Sequence, residues 1–183
     1  MKKVIAIATL IIAGYASMNA QIYKSKKDEV KVSFFSSTPI EDISALNSSS
    51  TSFIAGDSIK ISLANTGFIF KSPLMQEHFN ENYMESSKYP KSTFRGKINE
   101  SPDLSKDGTY KVTCTGMMYM HGVEKLITVP GNITVNAGDV HLVANFKAKL
   151  DDYKIARPKM VMDKISEEID IKIDATYAAF KKP

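Results

Sequence analysis

The chain has 183 residues, with 24 lysines and arginines against 20 aspartates and glutamates and a single cysteine. One cysteine excludes a disulfide scaffold, so the fold must be held by an apolar core, which a chain of this length can supply. The formal charge of +4 comes from lysines gathered at the two ends or alternating along strand-like runs, not from the clustered basic face of a nucleic-acid binder, and argues against that partner.

In chain order, residues 1–20 begin with Lys2 and Lys3, run through apolar residues 4–13 and reach Ala20 through small residues. This reads as a secretory signal cleaved near Ala20. Gly14, Ser17 and Asn19 interrupt the run too early for a bilayer span of about 20 residues. The expected organisation is a signal at 1–20 and one soluble domain at 21–183, located in the periplasm or secreted. Lys2 and Lys3 leave with the signal, lowering the charge of +4 by two.

Period-two alternation dominates the remainder. Val30, Val32 and Phe34 alternate with Lys31 and Ser33, and Ile59, Ile61 and Leu63 with Lys60 and Ser62. Residues 72–85 break the pattern. Ser72 is a good N-cap, Pro73 suits the first helical position, and Leu74, Met75, His78, Phe79, Asn82 and Tyr83 recur at helical spacing. After Tyr89-Pro90 the alternation resumes with Phe94 and Ile98 against Arg95 and Lys97, then with Tyr110, Val112, Cys114, Met118 and Met120. The cleanest runs come last: Val140, Leu142, Ala144, Phe146, Ala148 and Leu150, then Ile169, Ile171, Ile173, Ala175 and Tyr177.

These runs predict about eight strands, near 30–36, 52–55, 58–70, 92–99, 108–120, 123–135, 139–150 and 169–177, with a second short helix at 158–168. Each strand has one wet and one dry face, as antiparallel sheets do. Ile59, Ile61, Leu63, Phe94, Ile98, Val112, Leu142, Phe146, Ile171 and Ile173 are expected to share an interior, with Lys60, Arg95, Lys147 and Lys172 in water. Gly116 and Pro130-Gly131 allow the bends that closure requires. The expected fold is all-β with short helices: an antiparallel barrel with the amphipathic helix capping one end. Eight strands enclose either packed side chains or one slender ligand, and the residues alone leave both open.

Candidate chemistry is sparse. His78, His121 and His141 lack a second ligand at metal spacing, so no metal site is expected. His78 reads as a satisfied core residue or a headgroup contact, His121 as part of a turn, and His141 as solvated. The adjacent carboxylates Glu41-Asp42, Asp151-Asp152 and Glu167-Glu168 point to opposite faces or away from one another and make poor acid–base pairs. There is no G-x-S-x-G elbow, and Cys114 sits on the apolar parity of its strand as a small hydrophobe. No enzyme activity and no cofactor are expected.

Four segments taken together carry a resemblance: LMQEHFNENYMES, KYPKSTFRGKI, MMYMHGVEKLITVPG and the closing IDIKIDATY. Their order resembles the YceI-like polyisoprenoid-binding family, over nearly all of the chain after residue 20. The resemblance implies a lipocalin-like β-barrel whose apolar interior holds a long isoprenoid. The chain departs from the family pattern in two places. KVSFFSSTPIEDI lacks the histidines usual in the first strand, and Leu150 and Lys154 stand where an arginine and a glycine are common.

The implied function is an exported binder or carrier of an isoprenoid or similar amphiphile. A lipid-acting hydrolase or isomerase using the same cavity, and a ligand-free structural or stress-response barrel, stay open as alternatives. The tail-binding residues this implies are Ile61, Leu63, Phe68, Phe70, Leu74, Met75, His78, Phe79, Tyr83, Phe94, Val112, Met118, Leu142, Phe146, Ile171 and Ile173. The implied partner is an isoprenoid, fatty or quinone-like lipid, with transient membrane contact. Ten buried tail carbons at ~0.8 kcal/mol each give roughly 8 kcal/mol of gross transfer, enough for about micromolar binding before ordering costs.

Overall fold

The structure is a computed structural model describing residues 21–158 and 163–180; the expected signal lies outside these residues. It contains ten antiparallel strands: β1 (Ile22–Ser37), β2 (Asp42–Asn47), β3 (Thr51–Ala55), β4 (Ser58–Ala64), β5 (Phe68–Phe70), β6 (Lys91–Ile98), β7 (Gly108–Met120), β8 (Val123–Asn136), β9 (Asp139–Lys149) and β10 (Glu168–Phe180). Eight of them, in the order β1-β3-β4-β6-β7-β8-β9-β10, close into a barrel when β10 pairs with β1. The barrel is therefore lipocalin-like and closed, as expected.

Two strands lie outside the ring. Through Ile22–Lys24, β1 pairs with β3, but past a register shift between Ser25 and Val30 its partner is β2. Asp28 takes a φ of 58° inside that irregularity. The sheet thus divides, and β2 continues onto β5 as a flap beside the barrel. The expected strand at 58–70 is accordingly two strands, separated by a tight turn at Asn65–Gly67.

Buried polar side chains hold the fork. Asn47 is fully buried; its amide donates to the Ala64 carbonyl at 2.8 Å, and its oxygen accepts from the Ser49 N–H at 3.0 Å. Asn65, also fully buried, donates to the Tyr89 carbonyl at 2.6 Å and accepts from the Ser92 hydroxyl at 2.8 Å. Satisfied in this way, such groups fix geometry that apolar packing alone would leave loose.

Face assignment follows the sequence parity. Ile59, Ile61, Leu63, Phe94, Ile98, Val112 and Leu142 are buried, while Lys60, Arg95, Lys147 and Lys172 are exposed. Gly96 and Gly116 are directly paired across β6 and β7. A Cβ on Gly116 would lie 2.4 Å from the Gly96 Cα, so the strands cross more closely there than any side chain allows.

Of the second expected helix, at 158–168, the described residues keep a 3₁₀ turn at Asp163 and Lys164. Residues 159–162 lie outside those described, the Ser166 N–H donates to the Ser36 hydroxyl at 2.9 Å, and Glu168 already opens β10.

The interior is filled at one end and hollow at the other. At the filled end Val30, Ile54, Ile133, Val140, Ala175 and Tyr177 are completely buried. Tyr177 meets the Ser52 hydroxyl at 2.8 Å, and Tyr23 donates to the Leu104 carbonyl at 2.9 Å, fastening the 100–107 loop beneath the barrel. The opposite end holds the candidate site.

Candidate functional site

The short helix α1 (Pro73–His78) starts as its sequence dictates, with Ser72 accepting from the Met75 N–H and Pro73 in the first turn. It continues into a wider π-helical turn over Phe79–Tyr83, closed by a 2.8 Å bond from the Met84 N–H to the Phe79 carbonyl. The widening aims Phe79 at the flap. Its ring lies 5.6 Å from Phe34, 5.4 Å from Phe68 and 5.0 Å from Phe70, so one side chain ties the helix to β1 and β5. The exit from this turn is fastened at His121, whose Nε2 lies 2.8 Å from the Glu85 carboxylate and whose Nδ1 lies 2.9 Å from the Tyr153 carbonyl. Glu85 and His121 both hold positive φ, 43° and 50°. His121 is therefore structural, as expected, and it joins three loops.

Under this roof lies a chamber of about 370 Å³. Its wall combines Val32 and Phe34 of β1, Ile43 of β2, Phe68 and Phe70 of β5, and Leu74, Met75, Phe79, Tyr83 and Met84 of the helical segment. It is completed by Leu63, Met118, Met120, Ala148, Leu150, Ile155, Ile165, Ile169 and Ile171. Polar groups are few: Ser36, Ser72, Ser92, His78, Glu41 and Lys164, the last two paired at 4.0 Å. Leu74 and His78 are exposed and Ile40, beside Glu41, is 61% exposed, which marks this end as the mouth. Burial raises the Tyr83 phenol above its usual pKa, so it meets the chamber uncharged.

A second pocket of about 50 Å³ lies deeper, lined by Ile61, Phe94, Cys114, Leu142, Phe146 and Ile173 among others. Val32, Leu63, Ser92, Met118 and Ile171 border both spaces.

Of the sixteen residues expected to meet a ligand tail, Ile61, Phe94, Leu142, Phe146 and Ile173 thus border the small pocket. Phe68, Phe70, Leu74, Met75, His78, Phe79 and Tyr83 border the chamber, and Leu63, Met118 and Ile171 border both. Val112 borders neither; it is 3% exposed and packed in the solid part of the core. The core reading of His78 is corrected, because its ring is exposed and bonded only to the Asn82 amide at 3.0 Å. Asn82, placed on the apolar stripe by spacing, is exposed too, since the π-helical turn shifts the face. Sequence reasoning omitted Phe34 although its parity marked it. It also missed Ile43, whose strand DISALN carries too weak an alternation to be recognised.

The chemistry available is that of an apolar container. Burial pushes the Cys114 thiol up to about 11, far from nucleophilic use. Among the described residues no group of three or more histidines, cysteines or carboxylates is placed to hold a metal. His141, expected in solvent, is half-exposed and pairs with Asp174 at 2.8 Å.

Comparison with known proteins agrees with the geometry. A family profile described as the YceI-like domain matches residues 19–177. A polyisoprenoid-binding domain from Saccharophagus degradans, implicated in plant cell wall breakdown, superposes with a TM-score of 0.76 at 13% identity, covering 86% of this chain and 98% of its own. BcnA of Burkholderia cenocepacia gives 0.73 at 15% identity, covering 83% and 98%. A Campylobacter jejuni YceI protein gives 0.55 at 22% identity, covering 68% and 73%. Among curated proteins no significant match is found. With a profile match over most of its length and the same closed barrel, the chain belongs to the YceI-like family.

Proposed function

We propose that this protein is an exported, soluble binder or carrier of a single-tailed amphiphile, an isoprenoid or fatty lipid, held in the hollow end of the barrel. The observation that carries this reading is the chamber: about 370 Å³ walled almost entirely by carbon and open at one end beside α1. Volumes of this size fall in the range of small-ligand sites, and apolar enclosure suits a tail rather than a sugar or nucleotide. The family relationship supports the same ligand class, as does the polyisoprenoid binding of the Saccharophagus domain. Export rests on the Lys2-Lys3 start, the apolar run and the small residues before Ala20.

Ile40 and Leu74, 61% and 59% exposed at the mouth, suit brief contact with a membrane during loading. No bond-making step is assigned. The test is organic extraction of protein purified from its native host, followed by mass spectrometry and by transfer of the extracted lipid from vesicles back to stripped protein. An intact long-chain amphiphile at near-stoichiometric occupancy, taken up again by stripped protein, is expected. A processed product, or repeated absence of lipid with no uptake, would overturn the carrier reading.

A further inference from the structure

An apolar cavity of about 150 Å³ accommodates benzene, which gives roughly 25 Å³ per enclosed carbon. On that scale the chamber of about 370 Å³ holds about fifteen carbons, three isoprene units. Its floor is a distinct layer. Met118 and Ile171 border both the chamber and the small pocket, and both pack against the barrel core on one side and the Met84–Met120–Tyr153 cluster on the other. Ser92, in the same layer, is held by its bond to Asn65. Below the small pocket the barrel is solid, with Ile54, Val140, Ala175 and Tyr177 fully buried.

Resting on the carrier reading, we propose that the hollow end is a length gauge: it encloses about fifteen carbons of a single tail, and Met118 with Ile171 sets the stop. Longer tails have no further room inside and must leave their excess at the mouth. Met118 is the adjustable part, because among the residues that border both spaces it is the one long, unbranched apolar side chain. Shortening it opens the way into the further pocket of about 50 Å³ and adds the volume of its own lost atoms, together room for about five more carbons.

The experiment titrates stripped protein with straight-chain alcohols of roughly eight to twenty-two carbons and with isoprenols of about ten, fifteen and twenty, by displacement of a fluorescent naphthalene sulfonate. In the wild type, affinity should rise about fourfold per methylene and then level off near fifteen carbons. In Met118→Ala the levelling point should move to about twenty carbons; Ile171→Ala serves the same purpose if Met118→Ala does not fold. Val112→Ala, which touches neither space, should leave it in place and controls for general loosening. Affinity that keeps rising through twenty carbons in the wild type, or a levelling point unmoved by both floor variants, would overturn the gauge while leaving the carrier intact. Absence of binding at every length would overturn the carrier reading itself, and the gauge with it.

Discussion

Replacing Phe79 by alanine removes the ring on which the helix, β1 and β5 converge. It faces three other rings at 5.0–5.6 Å, and such pairs contribute ~0.5–1.5 kcal/mol each beyond simple burial, so three at mid-range amount to about 3 kcal/mol. Deleting a buried phenylalanine costs ~3–5 kcal/mol in general; because Phe79 is only partly buried and borders open chamber, the lower end applies. For a domain of this size about 3 °C is lost per kcal/mol, which predicts a melting point lower by roughly 9 °C in lipid-free protein. Calorimetry on stripped wild type and Phe79→Ala measures it, with far-UV circular dichroism to show that the strands persist. Phe79→Leu should restore about half. A folded Phe79→Ala protein melting within about 3 °C of wild type would mean that the aromatic cluster contributes little and that the roof is held elsewhere.

Gly116→Ala places a Cβ 2.3 Å from the Arg95 carbonyl oxygen, against backbone that cannot yield; soluble expression should fail or the urea midpoint should drop by the equivalent of about 3 kcal/mol or more. Asn47→Ala strands the Ala64 carbonyl and the Ser49 N–H at the fork, and equilibrium unfolding should show a loss of ~2–4 kcal/mol. The Cys114 thiol, raised by burial first and the Glu100 charge second from 9.0 to about 11, gives a pH test. The stability tied to its neutral form is fully present below the unfolded value and is lost as pH climbs from about 9 towards 11, where the unfolded chain deprotonates first. Melting curves across that window should fall more steeply for wild type than for Cys114→Ala, and parallel slopes would contradict the assignment.

The barrel was legible because each strand carries its inside and outside in alternate residues, and a one-residue error would have put Lys60 or Lys147 in the core. Helix α1 was legible for a local reason, the Ser72-Pro73 start. What escaped depends on tertiary geometry. Nothing in residues 58–70 signals that Asn65 turns the chain away from β6, because that turn is set by bonds to Tyr89 and Ser92, far along the sequence. Nor can alternation distinguish Val112, packed solid, from Leu142, on a cavity wall: both are apolar and inward, and only the meeting of ten strands decides where space is left. The interior is neither wholly filled nor wholly hollow, because packed core and open space divide along the barrel axis.

Closure through β1 and β10 sets a condition on how the chain folds. Val30 pairs with Ala175 and Val32 with Ile173, so the first strand of the ring finds its partner only when the last has been made. Contacts of such sequence separation are slow to form, placing this barrel among domains that fold in milliseconds to seconds rather than microseconds. Until then β1 and β9 are unpaired edges able to recruit other chains. Loss of the final strand would therefore leave an open sheet prone to self-association, and a chain held from completing itself would keep its hollow end accessible from the side as well as from the mouth.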